Sequence, residues 1–276
     1  MVIKNATFNG GSHKISNLNM SQYILSQTET TYTPEACVGL FAAVYGTTTV
    51  KDITLDKVTI RPSSEKSPKW VGSLVGYSMG TTTYENCIAN EVDIYIYGSS
   101  SYRVGGLVGY IEGSAKDNDP SKVKFTKCEV NKATITATFS YGGLVGSMYD
   151  SATFDECKTT DITLGLNDKP EGYGYVSKFI GDIANNNTNY NRTILIKNCI
   201  TDDLTDAEKA TLGFNKVIAE QGGSLEGTLF TGDCKWCGIV EPTVFGKSFT
   251  FTIKVTENGS EKTLVNGTDF NVCTKE

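Results

Sequence analysis

Three phrases in this chain are near-copies of one another: VGSLVGY at residues 71–77, VGGLVGY at 104–110 and YGGLVGS at 141–147. Fainter versions flank them. Aligned on the central large apolar residue, the column reads Leu40, Leu74, Leu107, Leu144 and Phe179, at spacings of 34, 33, 37 and 35 residues. Two places later stands a small residue each time: Ala42, Gly76, Gly109, Gly146 and Gly181. A period of this length, kept over five copies, marks a repeat architecture in which each unit packs against its neighbours.

A second phrase follows each copy: VKDITL (50–55), YENCIA (84–89), FTKCEV (125–130), FDECKT (154–159) and ILIKNC (194–199). ISNLNM (15–20) reads as an earlier copy, so the anchor column is Leu18, Ile53, Cys87, Cys128, Cys157 and Cys199. Three places earlier it is apolar throughout (Ile15, Val50, Tyr84, Phe125, Phe154, Ile196), and immediately before the anchor it is polar throughout (Asn17, Asp52, Asn86, Lys127, Glu156, Asn198). Two apolar residues separated by two polar ones do not fit a straight strand of period two. They fit two short strands meeting at a corner, where Asn or Asp tolerates left-handed backbone angles. A further apolar set, Val58, Val92, Ala133, Ile162 and Leu204, opens alternating runs such as VDIYIY (92–97).

Each repeat thus offers about three short strands, the glycine phrase being one of them. Helical periodicity is nearly absent, its best candidate being TDAEKATLGF (205–214). The amphipathic helices of helical repeats and the dense leucines of leucine-rich repeats are missing. A propeller blade needs about 40–50 residues and four alternating segments. The pattern therefore predicts an all-β chain: a parallel β-helix (solenoid) of about five to six coils over residues 1–204, with equivalent residues stacked in columns. Residues 205–276, where the columns vanish, are predicted to be a C-terminal cap containing a hairpin at ENGSEK.

The glycine phrase is not a phosphate loop. No Gly-Lys-Ser/Thr ending follows it, and a dinucleotide fingerprint occurs once before a helix rather than five times among strands. Gly105, Gly106 and Gly109 read instead as packing glycines between layers. A net charge of −6 without a basic run argues against nucleic acid as a partner. No apolar run reaches the roughly 20 residues of a transmembrane segment. MVIKNATFNG has no signal-peptide pattern and starts in patterned sequence, so it reads as the start of a piece of a longer chain. The single histidine, His13, lies in a Gly-rich turn, so multi-histidine metal sites do not arise and no cofactor is expected.

The glycine phrases followed by NCIANEVDI and CEVNKATI resemble the GLUG-motif repeats of bacterial surface and adhesin-like proteins. FNGGSHKISNL (8–18) is similar to the coil that precedes such arrays, and the resemblance spans roughly residues 5–204. It implies a right-handed parallel β-helix on an exported protein, often from gut Bacteroidetes, and no catalytic residue. The last copy, VSKFIGD (176–182), departs from it at Lys178, as if the array frayed there.

Cys87, Cys128, Cys157 and Cys199 share the column of Ile53, which reads as a core ladder of free thiols, alongside that of Leu74, Leu107 and Leu144. In-register neighbours point the same way, a poor geometry for disulfides. Cys234 and Cys237 form a CxxC outside the repeat, open to a disulfide, free thiols, zinc or redox roles, with Cys273 the remaining nearby cysteine. Asp52, Asp56, Asp93, Asp161, Asp202 and Asp203 supply carboxylates without a tight cluster or an obvious basic partner, and Asp117 with Asp119 only a fragment of a calcium motif. Tyr77 and Tyr110 close successive glycine phrases, and Tyr95, Tyr97 and Tyr102 cluster before the next. They are the candidate ligand-binding residues, as an exposed ladder, or else covers for coil edges. Threonine-rich stretches raise an ice-binding face, but no regular ranks can be traced. The leading expectation is a non-enzymatic, exported, adhesin-like protein binding a host-surface protein or glycan, as a monomer or part of a longer surface chain. The alternatives are a carbohydrate-active β-helix enzyme, using acid–base carboxylates, and a structural spacer.

Overall fold

The computed structural model describes residues 1–21, 37–62, 68–96, 102–113, 119, 121–138, 140–166, 175–183, 194–201, 229–231, 253–257 and 260–264. Among them there is no helix. Apart from one hairpin, every strand pairing is parallel, and the strands form three sheets.

One six-stranded sheet takes Val2–Lys4, Phe41–Tyr45, Val75–Met79, Val108–Glu112, Val145–Met148 and Ile180–Ile183 in chain order. A five-stranded sheet takes Cys37–Val38, Trp70–Gly72, Arg103–Gly105, Ser140–Gly142 and Tyr175–Ser177. A nine-stranded wide sheet holds the rest, including the bent strands Thr48–Ile60 and Thr82–Tyr95. The repeat contributes one segment to each sheet in turn and then begins again one rung further on. The arrangement is compatible with a parallel β-helix.

The columns read from sequence are columns in space. Ile53 lies opposite Cys87, Val58 opposite Val92, Ala133 opposite both Val92 and Ile162. Tyr84, Phe125 and Phe154 stack with ring centroids 4.7 and 4.8 Å apart, the spacing of adjacent strands. The corner column has left-handed backbone angles at every repeat, with φ of 54° at Asp52, 51° at Asn86, 52° at Lys127, 55° at Glu156 and 51° at Asn198. A second such column lies five residues on, at Lys57, Glu91, Lys132 and Asp161, with φ between 49° and 57°. Apolar residues three apart, such as Leu55 and Val58 or Ala89 and Val92, bracket it as they bracket the first corner.

Three expectations are corrected. The glycine phrase is two strands rather than one: Arg103–Gly105 belongs to one sheet and Val108–Glu112 to another, with Gly106 and Leu107 turning between them. The first copy is five residues out of register. His13, not Leu18, faces Ile53, Ile15 faces Leu55, and Phe8 faces Val50, with Gly10 and Gly11 in a bulge between Asn9 and His13. His13 itself is exposed. The array does not fray at Lys178, since Tyr141 faces Val176 and Val145 faces Ile180. Leu229–Thr231, within the region predicted to cap the array, pairs in parallel with Ile194–Lys197. The hairpin expected at ENGSEK forms, with Glu257 opposite Ser260. The helix candidate at 205–214 and Leu204 lie outside the described residues.

The glycines close the gap between the five- and six-stranded sheets. A Cβ on Gly109 would lie 2.5 Å from the Val71 nitrogen and 2.7 Å from the Gly76 oxygen. One on Gly146 would lie 2.5 Å from the Gly109 oxygen. Both are neighbouring backbone, and neither glycine has a positive φ. The glycine is there for close approach, as it is at Gly105 and Gly106, whose added Cβ would strike the carbonyls of Val108 and Gly143.

Candidate functional site

The core columns Leu74, Leu107 and Leu144 are fully buried in the main core, as are Cys87 and Cys128, with Cys157 and Cys199 at 1% exposure. All four cysteines are free thiols. Cys87 donates to the Val50 carbonyl at 3.3 Å and Cys128 to the Tyr84 carbonyl at 3.4 Å, so each thiol bonds the backbone of the preceding repeat. Burial pushes the Cys128 and Cys157 thiols well above the ordinary thiol range. This suits a packing role and opposes thiolate chemistry. Cys234, Cys237 and Cys273 lie outside the described residues.

The five tyrosines do not form one exposed ladder. Tyr77 and Tyr110 keep only 5% and 4% exposure, so the expected outward platform is corrected to a second, small core. It lies where the two glycine-bearing strands diverge. The Trp70 ring sits 5.4 Å from that of Tyr77 and stacks on Tyr110 at 5.8 Å. The Arg103 guanidinium lies 4.7 Å from the Tyr110 ring centre, and Tyr149 meets that ring edge-on. The Tyr77 hydroxyl donates to Glu112 Oε2. Burial, followed by that carboxylate, pushes the Tyr77 phenol up, so it stays protonated and keeps its hydrogen for Glu112. Tyr102 is buried in the main core. Tyr97 lies outside the described residues.

Tyr95 alone of the described four sits half-exposed on the outer face of the wide sheet. It is level with Thr136, which is level with Gly165. The adjoining outward column runs Thr59, Asp93, Thr134, Thr163. Arg61 holds Asp93 through two hydrogen bonds, Nε to Oδ2 at 2.7 Å and Nη2 to Oδ1 at 2.8 Å, with its guanidinium 5.8 Å from the Tyr95 ring centre. Sequence reading missed Arg61 as a partner because 32 residues separate it from Asp93. The repeat period itself was the available signal.

The same holds for other carboxylates, which do have basic or amide partners, supplied by neighbouring repeats. Asp56 meets Lys14 at 3.4 Å, Glu91 meets Lys132 at 3.6 Å and Glu156 meets Lys127 at 3.8 Å. Asn86 donates to Asp52 at 3.0 Å. These groups are corner ladders rather than an acid–base pair. Asp119 bonds the Ser121 backbone nitrogen at 2.8 Å, while Asp117, Asp202 and Asp203 lie outside the described residues. Among the described residues no group of three or more His, Cys, Asp or Glu side chains is placed to hold a metal ion, and no helix is long and apolar enough to cross a membrane.

Fold and surface together define an all-β repeat protein whose parallel strands lie in stacked sheets with a polar outer face. No protein-family model, no curated protein and no solved structure matches the chain.

Proposed function

We propose that the protein is a non-enzymatic, adhesin-like surface protein of the GLUG-repeat kind, built as a right-handed parallel β-helix. It is exported, and it uses the outer face of its wide sheet and its corner loops to bind a host-surface protein or glycan. The observation that carries this reading is the register: residues one repeat apart are hydrogen-bonded neighbours in all three sheets. Such a scaffold presents a long, regular face of stacked strands, which serves the binding of an extended partner. Right-handedness follows the general preference of parallel crossover connections. The corner carboxylates lie beside lysines of neighbouring repeats instead of converging as a pair, which favours display over acid–base catalysis.

The test is a panel of immobilised glycans and host extracellular-matrix proteins, probed with the purified chain. Saturable binding with no release of sugar product supports the reading. Release of oligosaccharides would replace it with a carbohydrate-active enzyme, and failure to bind any member would favour a spacer.

A further inference from the structure

The outer face of the wide sheet is not uniform. Before its first corner it is charged, with Lys51 level with Glu85 and Lys124 level with Thr83 and Thr153. Beyond its second corner it changes character. Two outward columns over four repeats there read Thr59, Asp93, Thr134, Thr163 and Arg61, Tyr95, Thr136, Gly165.

We propose that this patch binds a neutral, linear glycan, with Tyr95 as the stacking platform. The proposal rests on the binding-protein reading above and names its site and ligand class. Three features argue for a sugar. Among the described residues of these two columns, the cation Arg61 and the anion Asp93 face each other through a bidentate pair, which favours an uncharged ligand. The exposed large apolar residues among those described, Met1, Val2, Met79 and Ile200, all lie elsewhere, which disfavours an apolar peptide or a lipid. What remains is an aromatic ring beside hydroxyls: Thr134 and Thr163 exposed, Thr59 and Thr136 half-exposed. That combination suits the apolar face and hydroxyl rim of a pyranose.

The patch is also held in shape before any ligand arrives. Asp93 fixes the Arg61 fork beside the Tyr95 ring, so little side-chain freedom remains to be lost on binding. Rungs about 4.8 Å apart repeat on the scale of one sugar ring, so a linear chain laid along the columns meets an equivalent step at each repeat. At Gly165 an added Cβ would meet only the Thr136 side chain, which leaves a low step at the end of the face.

The experiment measures binding of six-unit glucose, mannose and galactose oligosaccharides by calorimetry, in parallel with the matrix-protein panel. Four variants are compared: Tyr95→Ala, Thr163→Lys, Tyr77→Phe in the buried cluster and Lys124→Ala on the charged part of the sheet. Circular dichroism checks each fold. The expected result is that one oligosaccharide class binds and that Tyr95→Ala and Thr163→Lys each weaken it by about tenfold or more. Tyr77→Phe and Lys124→Ala leave it unchanged. Thr163 is exposed, so its variant decides the matter even where Tyr95→Ala misfolds. Oligosaccharide binding that survives Thr163→Lys and a folded Tyr95→Ala overturns this site and leaves the binding function standing. Binding to matrix proteins but to no oligosaccharide overturns the glycan. No binding to either overturns both.

Discussion

At Gly109 a methyl group has nowhere to go, because its nearest neighbours are backbone atoms of two other strands at 2.5 and 2.7 Å. Gly109→Ala is expected to cost about 3 kcal/mol or more, read as a drop in the midpoint of urea unfolding. The corner residues behave oppositely. Lys127 holds φ at 52°, a conformation that costs an L side chain about 1–2 kcal/mol, and its ion pair with Glu156 joins two largely exposed groups. Lys127→Gly is therefore expected to stabilise the fold modestly, raising the same midpoint. The ladder thiols set an alkaline limit. Their folded pKa values lie above the unfolded one, so the unfolded chain releases protons first, and stability present below about pH 8.5 is lost as pH rises further. The melting temperature should fall between pH 8 and 10, and fall less steeply in a Cys128→Ala, Cys157→Ala double variant. The buried phenols of Tyr84 and Tyr141, also raised by burial, extend the loss beyond about pH 10.

For the elements, period and residue type carried most of the information. Any corner that falls at a fixed distance from a buried column is visible as a polar residue beside an apolar one, and the Asp52–Asn86–Lys127–Glu156–Asn198 corner was found that way. The second corner, at Lys57, Glu91, Lys132 and Asp161, was not, although Leu55 and Val58, Ala89 and Val92, and Val130 and Ala133 bracket it with the same spacing. The glycine phrase also concealed a chain reversal. Its turn, Gly106–Leu107, contains a fully buried leucine, whereas turns are recognised by polar residues. The first copy slipped in register because Ile15 and Leu18 lie level with the second corner, Leu55 and Val58, which has the same apolar spacing as the first. Of the candidate surface, Tyr95 was legible and its setting was not. Alternation along one strand says which residues point outward, but only the pairing between repeats brings Arg61 to Asp93. Burial of Tyr77 and Tyr110 depends on how closely two sheets approach, which no single strand encodes.

The whole molecule behaves as a stack whose layers are interchangeable where their registers agree. Gly72 and Gly105 are level with each other in the five-stranded sheet. Deleting residues 72–104 joins Val71 to Gly105 and keeps every column continuous, so the shortened chain is expected to fold. Its far-ultraviolet dichroism should keep its β-sheet form, and its cooperative melt should come at a lower temperature, since one layer's neighbour contacts are lost. A deletion of similar length out of phase with the repeat should not fold. The parallel ladders have one more consequence, for load. Their hydrogen bonds lie along the stacking direction, so tension applied across the stack opens them one layer at a time instead of shearing them together. Each released layer frees about 34 residues, the distance from Ile53 to Cys87, or roughly 120 Å of extended chain. Pulled between its ends, the repeat array should lengthen in a series of small, unequal steps at modest force, a shock absorber in series with any load attached to it.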